Sequence, residues 1–249
     1  FLIQRELDRA FIHKVNYLVK KTGIKNLCIT GGVGLNAVTN RAILDKTEIE
    51  NIFVQPSAGD SGQCLGNAYF GVAEFDSSNI KRKSISVYQG KEYSNEEIES
   101  ALNSQIDRID FKKVALGELV HIASKKLSEN KIIAWFQGGS ETGPRALGNR
   151  SILANPIHKE MKDTINARVK HREHFRPFAP SVLEEKASEW FDISIPAPYM
   201  IINAQVKQPE KIPAVTHEDN SARLQTVNEQ QNPRFYALIS EFEKITDVP

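Results

Sequence analysis

The sequence has only two cysteines in 249 residues, Cys28 and Cys64, too few for a disulfide framework or a set of zinc-binding thiolates. That scarcity suits a reducing compartment, so a cytoplasmic location is expected. No apolar run approaches the roughly 18 residues a membrane span requires, and no membrane partner is expected. Neither sign of charge is in excess: 32 Lys and Arg against 31 Asp and Glu leave a formal +1. A balance like that removes the electrostatic case for a chain that coats nucleic acid or an anionic bilayer. No signal peptide is visible and no initiator Met precedes Phe1. The other end breaks off just beyond an amphipathic segment, so both ends are expected to be cuts in a longer protein. Internal repeats and low-complexity tracts are missing too. What is present, 40% hydrophobic and 25% charged residues, is the composition of an ordinary globular protein long enough for one large or two modest domains.

Periodicity orders the chain. Leu7, Phe11, Val15, Leu18 and Val19 repeat at helical spacing over 5–22, and Gly23 is placed as a helix C-cap. Residues 26–30 read as a buried strand running into Gly31-Gly-Val-Gly-Leu-Asn36, and 37–44 as a helix. Residues 52–54 read as a second buried strand, stopped by Pro56 and the small-residue loop 57–62. Residues 63–73, rich in small side chains, read as a helix packed close to a neighbour. The alternation of strand and helix argues for parallel α/β structure. Residues 76–84 are polar and without period, which marks a linker and divides 1–80 from 81–249. Beyond it Ser94 and Glu97 have capping-box spacing. Residues 114–127 form an amphipathic helix, 131–136 a strand that ends at Gly138-Gly139, and 159–169 another helix. Strands are expected at 178–183 and 199–206. Residues 207–234, with three prolines and many polar side chains, read as a long loop. Trp135, Phe136, Trp190 and Phe191 read as core and Cys28 as an inert strand residue. His13, His121 and His158 read as structural or solvent-facing.

Three stretches carry chemistry. The glycine turn at 31–36 leaves a strand and opens a helix, where free N–H groups and the helix dipole favour an anion or polar ring. It lacks the Gly-Lys-Ser/Thr of a P-loop and the GxGxxG of a dinucleotide site, so tight packing and nucleotide binding both stay open. Asp60 is the one carboxylate of its loop and reads either as a helix cap or as a metal- or phosphate-linked group. The third stretch is double. Arg145, Asn149, Arg150 and Ser151 lie in a Gly/Pro-stiffened turn after a strand, with the two arginines spaced as a fork for phosphate or carboxylate. Arg168, Lys170, His171, Arg172, His174 and Arg176 then fall within nine residues against a single Glu173. Such density in a neutral chain calls for an anionic partner. Two short clusters favour a small phosphorylated ligand over nucleic acid, and a solvated basic surface is the remaining alternative.

Together these motifs resemble the ATP-using O-carbamoyltransferases of nodulation and antibiotic tailoring. Residues 29–36, Phe53-Val-Gln-Pro and Gly59-Asp-Ser-Gly62 with Leu65-Gly66 look like the rear half of an actin-like ATPase domain. Residues 143–154, Asn166 to Arg176 with Phe175-Arg-Pro-Phe-Ala-Pro-Ser181, Pro198-Tyr-Met200, 213–219 and 222–227 look like the family's YrdC-like domain. The resemblance implies an α/β fold with a twisted open sheet in the second domain. It implies that ATP with Mg²⁺ and carbamoyl phosphate give carbamoyladenylate, whose carbamoyl group passes to a small-molecule hydroxyl acceptor. Under it Gly31, Gly32, Val33, Asn36 and Ser151 become cofactor contacts. Arg145, Asn149, Arg150, Lys170, Arg172 and Arg176 serve the chemistry, and Asp60 ligates a divalent metal such as Fe²⁺. A homodimer is the assembly it leaves open. Three departures are noted. The family's metal-binding histidine pair is not in this sequence, the closing segment of the second domain is missing, and Gly138-Gly139 stands where relatives often carry an Arg. A non-catalytic nucleotide-binding module and an RNA-binding factor of the threonylcarbamoyl pathway are the rival readings.

Overall fold

A computed structural model describes residues 1–76 and 86–249; apart from Asp76, the expected linker and the boundary at 80/81 lie outside the described residues. Helix α1 (Leu2–Thr22) ends at Gly23, whose φ of 69° is open to glycine and whose N–H donates to the Val19 carbonyl at 2.7 Å. Strands β1 (Asn26–Ile29) and β2 (Asn51–Val54) pair in parallel around the crossover helix α2 (Ala37–Lys46), as the sequence alternation requires.

The two strands are not buried on both faces, which corrects the sequence reading. Val54 is fully enclosed, whereas Cys28 is exposed and Phe53 is 51% exposed. A short apolar run specifies a strand without saying how many of its faces are covered. Helix α3 (Gln63–Phe75) forms as expected, yet none of its residues is buried, and Tyr69, Phe70, Val72 and Phe75 face outward. The close neighbour expected for it is not among the described residues.

Beyond the boundary, α4 (Asn95–Asn103) starts with a complete capping box: Ser94 Oγ accepts from the Glu97 N–H, and the Glu97 carboxylate accepts from the Ser94 N–H. Then come α5 (Leu116–Ser128), β3 (Ile133–Phe136), β4 (Arg150–Leu153) and α6 (Glu160–Ile165), which widens into a π-helical turn over Asn166–Lys170. The chain continues through β5 (Ser181–Leu183), α7 (Ala187–Trp190), β6 (Asn203–Gln205), β7 (Ser221–Arg223), β8 (Gln225–Val227) and α8 (Pro233–Thr246).

The class is mixed α/β, but the described strands form four two-stranded sheets rather than one open sheet. β5 and β8 run parallel; the β3–β4 and β6–β7 pairs are antiparallel. The expected strands at 178–183 and 199–206 shrink to β5 and β6; before β6, Met200 adopts a φ of 53° that no strand accommodates. The expected loop 207–234 is corrected more deeply. It contains β7 and β8, and Ile212, Ala214 and Val215 are buried within it.

One large core holds this region. Helix α5 packs on α8, with Ser124 Oγ donating to the Leu238 carbonyl at 3.0 Å, and Trp135, Trp190, Phe191, Leu224, Phe235 and Phe242 fill the space between them and the strands. Each such side chain contributes roughly 1.5–3 kcal/mol by leaving water. Phe136 is the exception: it alternates to the other face of β3, is 60% exposed, and carries the Arg150 guanidinium 3.5 Å above its ring. A second cluster ties the regions together, Val54 packing with Ala197, Ile201 and Ile202. Fully buried Asn40 locks that seam by donating to the Gly34 and Ile201 carbonyls, each at 2.8 Å. No helix of the described residues is long and apolar enough to cross a membrane.

Candidate anion site

The turn between β3 and β4 is built around Glu141. Its Oε1 accepts the N–H groups of Leu147, Asn149 and Arg150 at 2.7, 2.8 and 3.1 Å, so one carboxylate holds the turn in a nest of backbone donors. Gly143, at φ 108°, lets the turn approach the loop after β2: a Cβ there would stand 2.6 Å from the Pro56 carbonyl oxygen. Asn149 is buried and hydrogen-bonded through both its amide nitrogen and its amide oxygen. It donates to the Gly139 carbonyl at 2.8 Å and accepts from Gln137 Nε2 at 2.9 Å and Asn232 Nδ2 at 3.0 Å. Ser151 Oγ accepts the Gly148 N–H at 3.0 Å. The Arg150 guanidinium donates to the carbonyls of Gln137, Asn149 and Gly138 while stacking on Phe136. These three side chains therefore shape the turn. Arg145 is different: its Nε is buried and has no hydrogen-bond partner. Burial pushes its pKa down.

The second basic stretch hangs on Asn166, which is buried at the start of the π-helical turn. Asn166 Oδ1 accepts from Arg172 Nε at 2.7 Å and its amide donates to the Arg176 carbonyl at 3.0 Å. Arg172 also stacks over Phe178 at 4.7 Å. Arg176 pairs with Glu173 at 2.9 Å on the surface, and Lys170 is exposed.

Strand β7 supplies what the sequence reading did not name as a site residue. Ala222 and Leu224 are fully buried, so the alternation of the strand turns Arg223 to the opposite face. The Arg223 Nε is buried without a partner, and the arginine pKa is pushed down to about 10, first through burial and then through the nearby charges of Arg145 and Arg172. Arg145 and Arg172 thus each sit within electrostatic reach of Arg223, and neither Arg145 nor Arg223 has an acidic ion-pair partner among the described residues. His217 lies beside Arg223, and its buried Nε2 is also without a hydrogen-bond partner. His217 and Arg223 line a cavity of about 290 Å³ with Asn36, Val38, Phe178 and Asn203. Buried, unpaired cations are costly in an empty fold, and an anion placed among them removes that cost.

The sequence-expected residues divide accordingly. Arg145 and Arg172 are brought to Arg223; Arg150 is spent on carbonyls, Arg176 on Glu173, and Lys170 is exposed. Gly31, at φ 90°, donates to the Ala58 carbonyl at 3.0 Å, and Gly32 and Val33 form an exposed 3₁₀ turn. A Cβ on Gly34 would meet Ile29 and Val54 at 3.1 Å, so this glycine serves close packing. Asn36 lines the cavity and caps α2, its Oδ1 accepting the Thr39 N–H at 3.1 Å. Asp60 is exposed, accepts from Gln63 Nε2 at 3.2 Å and makes no helix-capping bond. No group of three or more His, Cys, Asp and Glu able to hold a metal occurs among the described residues, so Asp60 alone does not fit the implied divalent metal.

Fold and site define a mixed α/β protein in which Arg223 and His217 line a cavity, with Arg145 and Arg172 close to Arg223. Residues 124–249 match the family model described as Carbamoyltransferase C-terminus, and residues 2–69 the one described as Carbamoyltransferase N-terminus; the chain belongs to the carbamoyltransferase family. It is 38% identical to nodulation protein NolO of Bradyrhizobium diazoefficiens over 99% of this chain and 46% of that protein. It is 39% identical to nodulation protein U of the same organism over 98% of this chain and 41% of the relative. An uncharacterized protein of Synechocystis is 37% identical over 99% of this chain and 46% of its own length. The chain spans less than half the length of these relatives.

Proposed function

We propose that this chain carries the adenylate-forming part of an ATP-dependent O-carbamoyltransferase, and that Arg145, Arg172 and Arg223 hold the phosphate charges. On this reading 1–80 is the rear half of an actin-like domain and 81–249 a YrdC-like domain. The observation that carries the proposal is the pair of buried, unpaired guanidinium Nε atoms, on Arg145 and Arg223, in a member of the carbamoyltransferase family.

The chemistry balances as follows. Water cleaves carbamoyl phosphate to carbamate and inorganic phosphate. A carbamate oxygen attacks the α-phosphorus of ATP, which enters with Mg²⁺; the bond to the β-phosphate oxygen breaks and pyrophosphate leaves, giving carbamoyladenylate. A hydroxyl oxygen of the small-molecule acceptor then attacks the carbamoyl carbon, AMP departs, and the hydroxyl proton goes to solvent. Fixed cations stabilise the charge that accumulates on the transferring phosphoryl group, and their cost has been met in the folded state before ligand arrives. No step is assigned to a protein-bound metal. The glycine turn, with Asn36 on the same cavity as Arg223, suits the nucleotide end of the ligand.

The test is pyrophosphate release from ATP and Mg²⁺ with and without carbamoyl phosphate. Release that depends on carbamoyl phosphate and disappears in Arg223→Met is expected. No release, or release indifferent to carbamoyl phosphate, contradicts the proposal.

A further inference from the structure

His217 has an arrangement that the anion-binding role of its neighbours does not explain. Asp219 Oδ1 accepts the Ser221 hydroxyl at 2.7 Å and the Ser221 N–H at 3.0 Å. A carboxylate can only accept, so the single hydroxyl proton of Ser221 is spent on Asp219. Ser221 Oγ is then left as an acceptor for His217 Nδ1 at 3.2 Å, which places the ring proton on Nδ1. The consequence is a lone pair on Nε2, in a buried position with no hydrogen-bond partner, on a residue that lines the same cavity as Arg223. Burial first, then the charges of Arg223 and Lys162, press the ring toward neutrality; Asp219 and the Phe178 carbonyl oppose this, and the net pKa lies below the ordinary value. The cavity therefore sets the free Nε2 acceptor of His217 beside the Arg223 cation. Phosphate alone has no use for that acceptor. An anion carrying an N–H donor beside its phosphate uses both.

We infer that His217, held as the Nδ1–H tautomer by Ser221 and Asp219, accepts a hydrogen bond from the amide N–H of a carbamoyl ligand and so selects carbamoyl over acyl phosphates. The inference rests on the proposed anion site and adds to it the residue that reads the ligand's nitrogen. Acetyl phosphate, with a methyl group in place of the amino group, leaves Nε2 buried and unpaired, which is how a polar site rejects an isostere.

Titration calorimetry on this chain with carbamoyl phosphate, acetyl phosphate and inorganic phosphate tests it. The wild-type chain is expected to prefer carbamoyl to acetyl phosphate by about 10-fold or more, the size of one buried hydrogen bond made or missed. His217→Phe fills the same space without an acceptor. It is expected to abolish the preference while leaving affinity for acetyl and inorganic phosphate within about 3-fold, since a neutral ring contributes no charge. His217→Gln, whose amide oxygen can accept, restores part of the preference. Ser221→Ala releases the tautomer and lowers the preference without altering the cavity wall, which keeps the inference open to refutation should the Phe variant misfold. A preference unchanged in His217→Phe and Ser221→Ala overturns the role of His217 and leaves the anion site standing. Failure of the wild-type chain to bind any of the three removes the anion site and this inference together.

Discussion

Replacing Arg223 with Met separates a cost of folding from a gain of binding. In the folded chain the Arg223 pKa is pushed down to about 10, first by burial and then by Arg145 and Arg172. The sign follows directly. A base whose folded pKa lies below its unfolded value is protonated more readily when unfolded, so its charge opposes folding. The penalty is complete below about pH 10 and fades as pH rises above it. A guanidinium brought down to about 10 by burial corresponds to a cost of roughly 3 kcal/mol. Part is offset because the side chain keeps some contact with water and its alkyl stem packs, so a gain of roughly 1–2 kcal/mol is expected for the variant without ligand. In a chain of this size that is about 2–8 °C in melting temperature. Ligand acts the other way: phosphate or pyrophosphate at 100 times its Kd stabilises the wild type by about 2.7 kcal/mol, and the variant loses most of that. The assay is a pair of thermal melts with and without pyrophosphate. A variant less stable than wild type that still gains the full pyrophosphate shift would refute the reasoning, because Arg223 would then be a packing residue and not a poised cation.

Other expectations are independent of that pair. Glu141→Gln weakens three backbone hydrogen bonds to one carboxylate and is expected to cost about 1.5–3 kcal/mol, read as a lower urea midpoint with reduced phosphate affinity. Gly143→Ala drives a Cβ to 2.6 Å from the Pro56 oxygen at φ 108° and is expected to destabilise by more than 2 kcal/mol. Gly71→Ala, in α3 with nothing within 4 Å, is expected to stabilise that helix by up to about 1 kcal/mol. The His217 pKa is lowered, so the unfolded chain takes up the proton first and stability falls as pH drops below about 6.5. Urea midpoints at pH 7.5 and 5.5 should differ less in His217→Phe than in the wild type.

Local chemistry made much of this fold legible. Gly23 ends α1 and Ser94 with Glu97 caps α4 because those signals act within a few residues. Burial was less legible, since it depends on partners far along the chain: Cys28 and Phe53 lie in an apolar run yet face outward. Prolines and polar residues between 207 and 234 hid β7 and β8, and with them Arg223 and His217. A signal was present, because Arg223 stands between two apolar residues that alternate into the core. The cluster of charges at 168–176 drew attention by density, but density does not report direction. Arg150 and Arg176 are spent on carbonyls and on Glu173, whereas Arg145, isolated in its turn, is left unpaired.

The most direct test of the account observes the unpaired guanidinium groups themselves. Selective ¹⁵N labelling of arginine allows each Nε–H to be followed as carbamoyl phosphate is added, with the signals assigned by single Arg→Lys variants. The account requires the Arg145 and Arg223 signals to shift together and saturably while Arg150, already bound to carbonyl oxygens, stays in place. Saturable binding that leaves the Arg145 and Arg223 signals unmoved would contradict it.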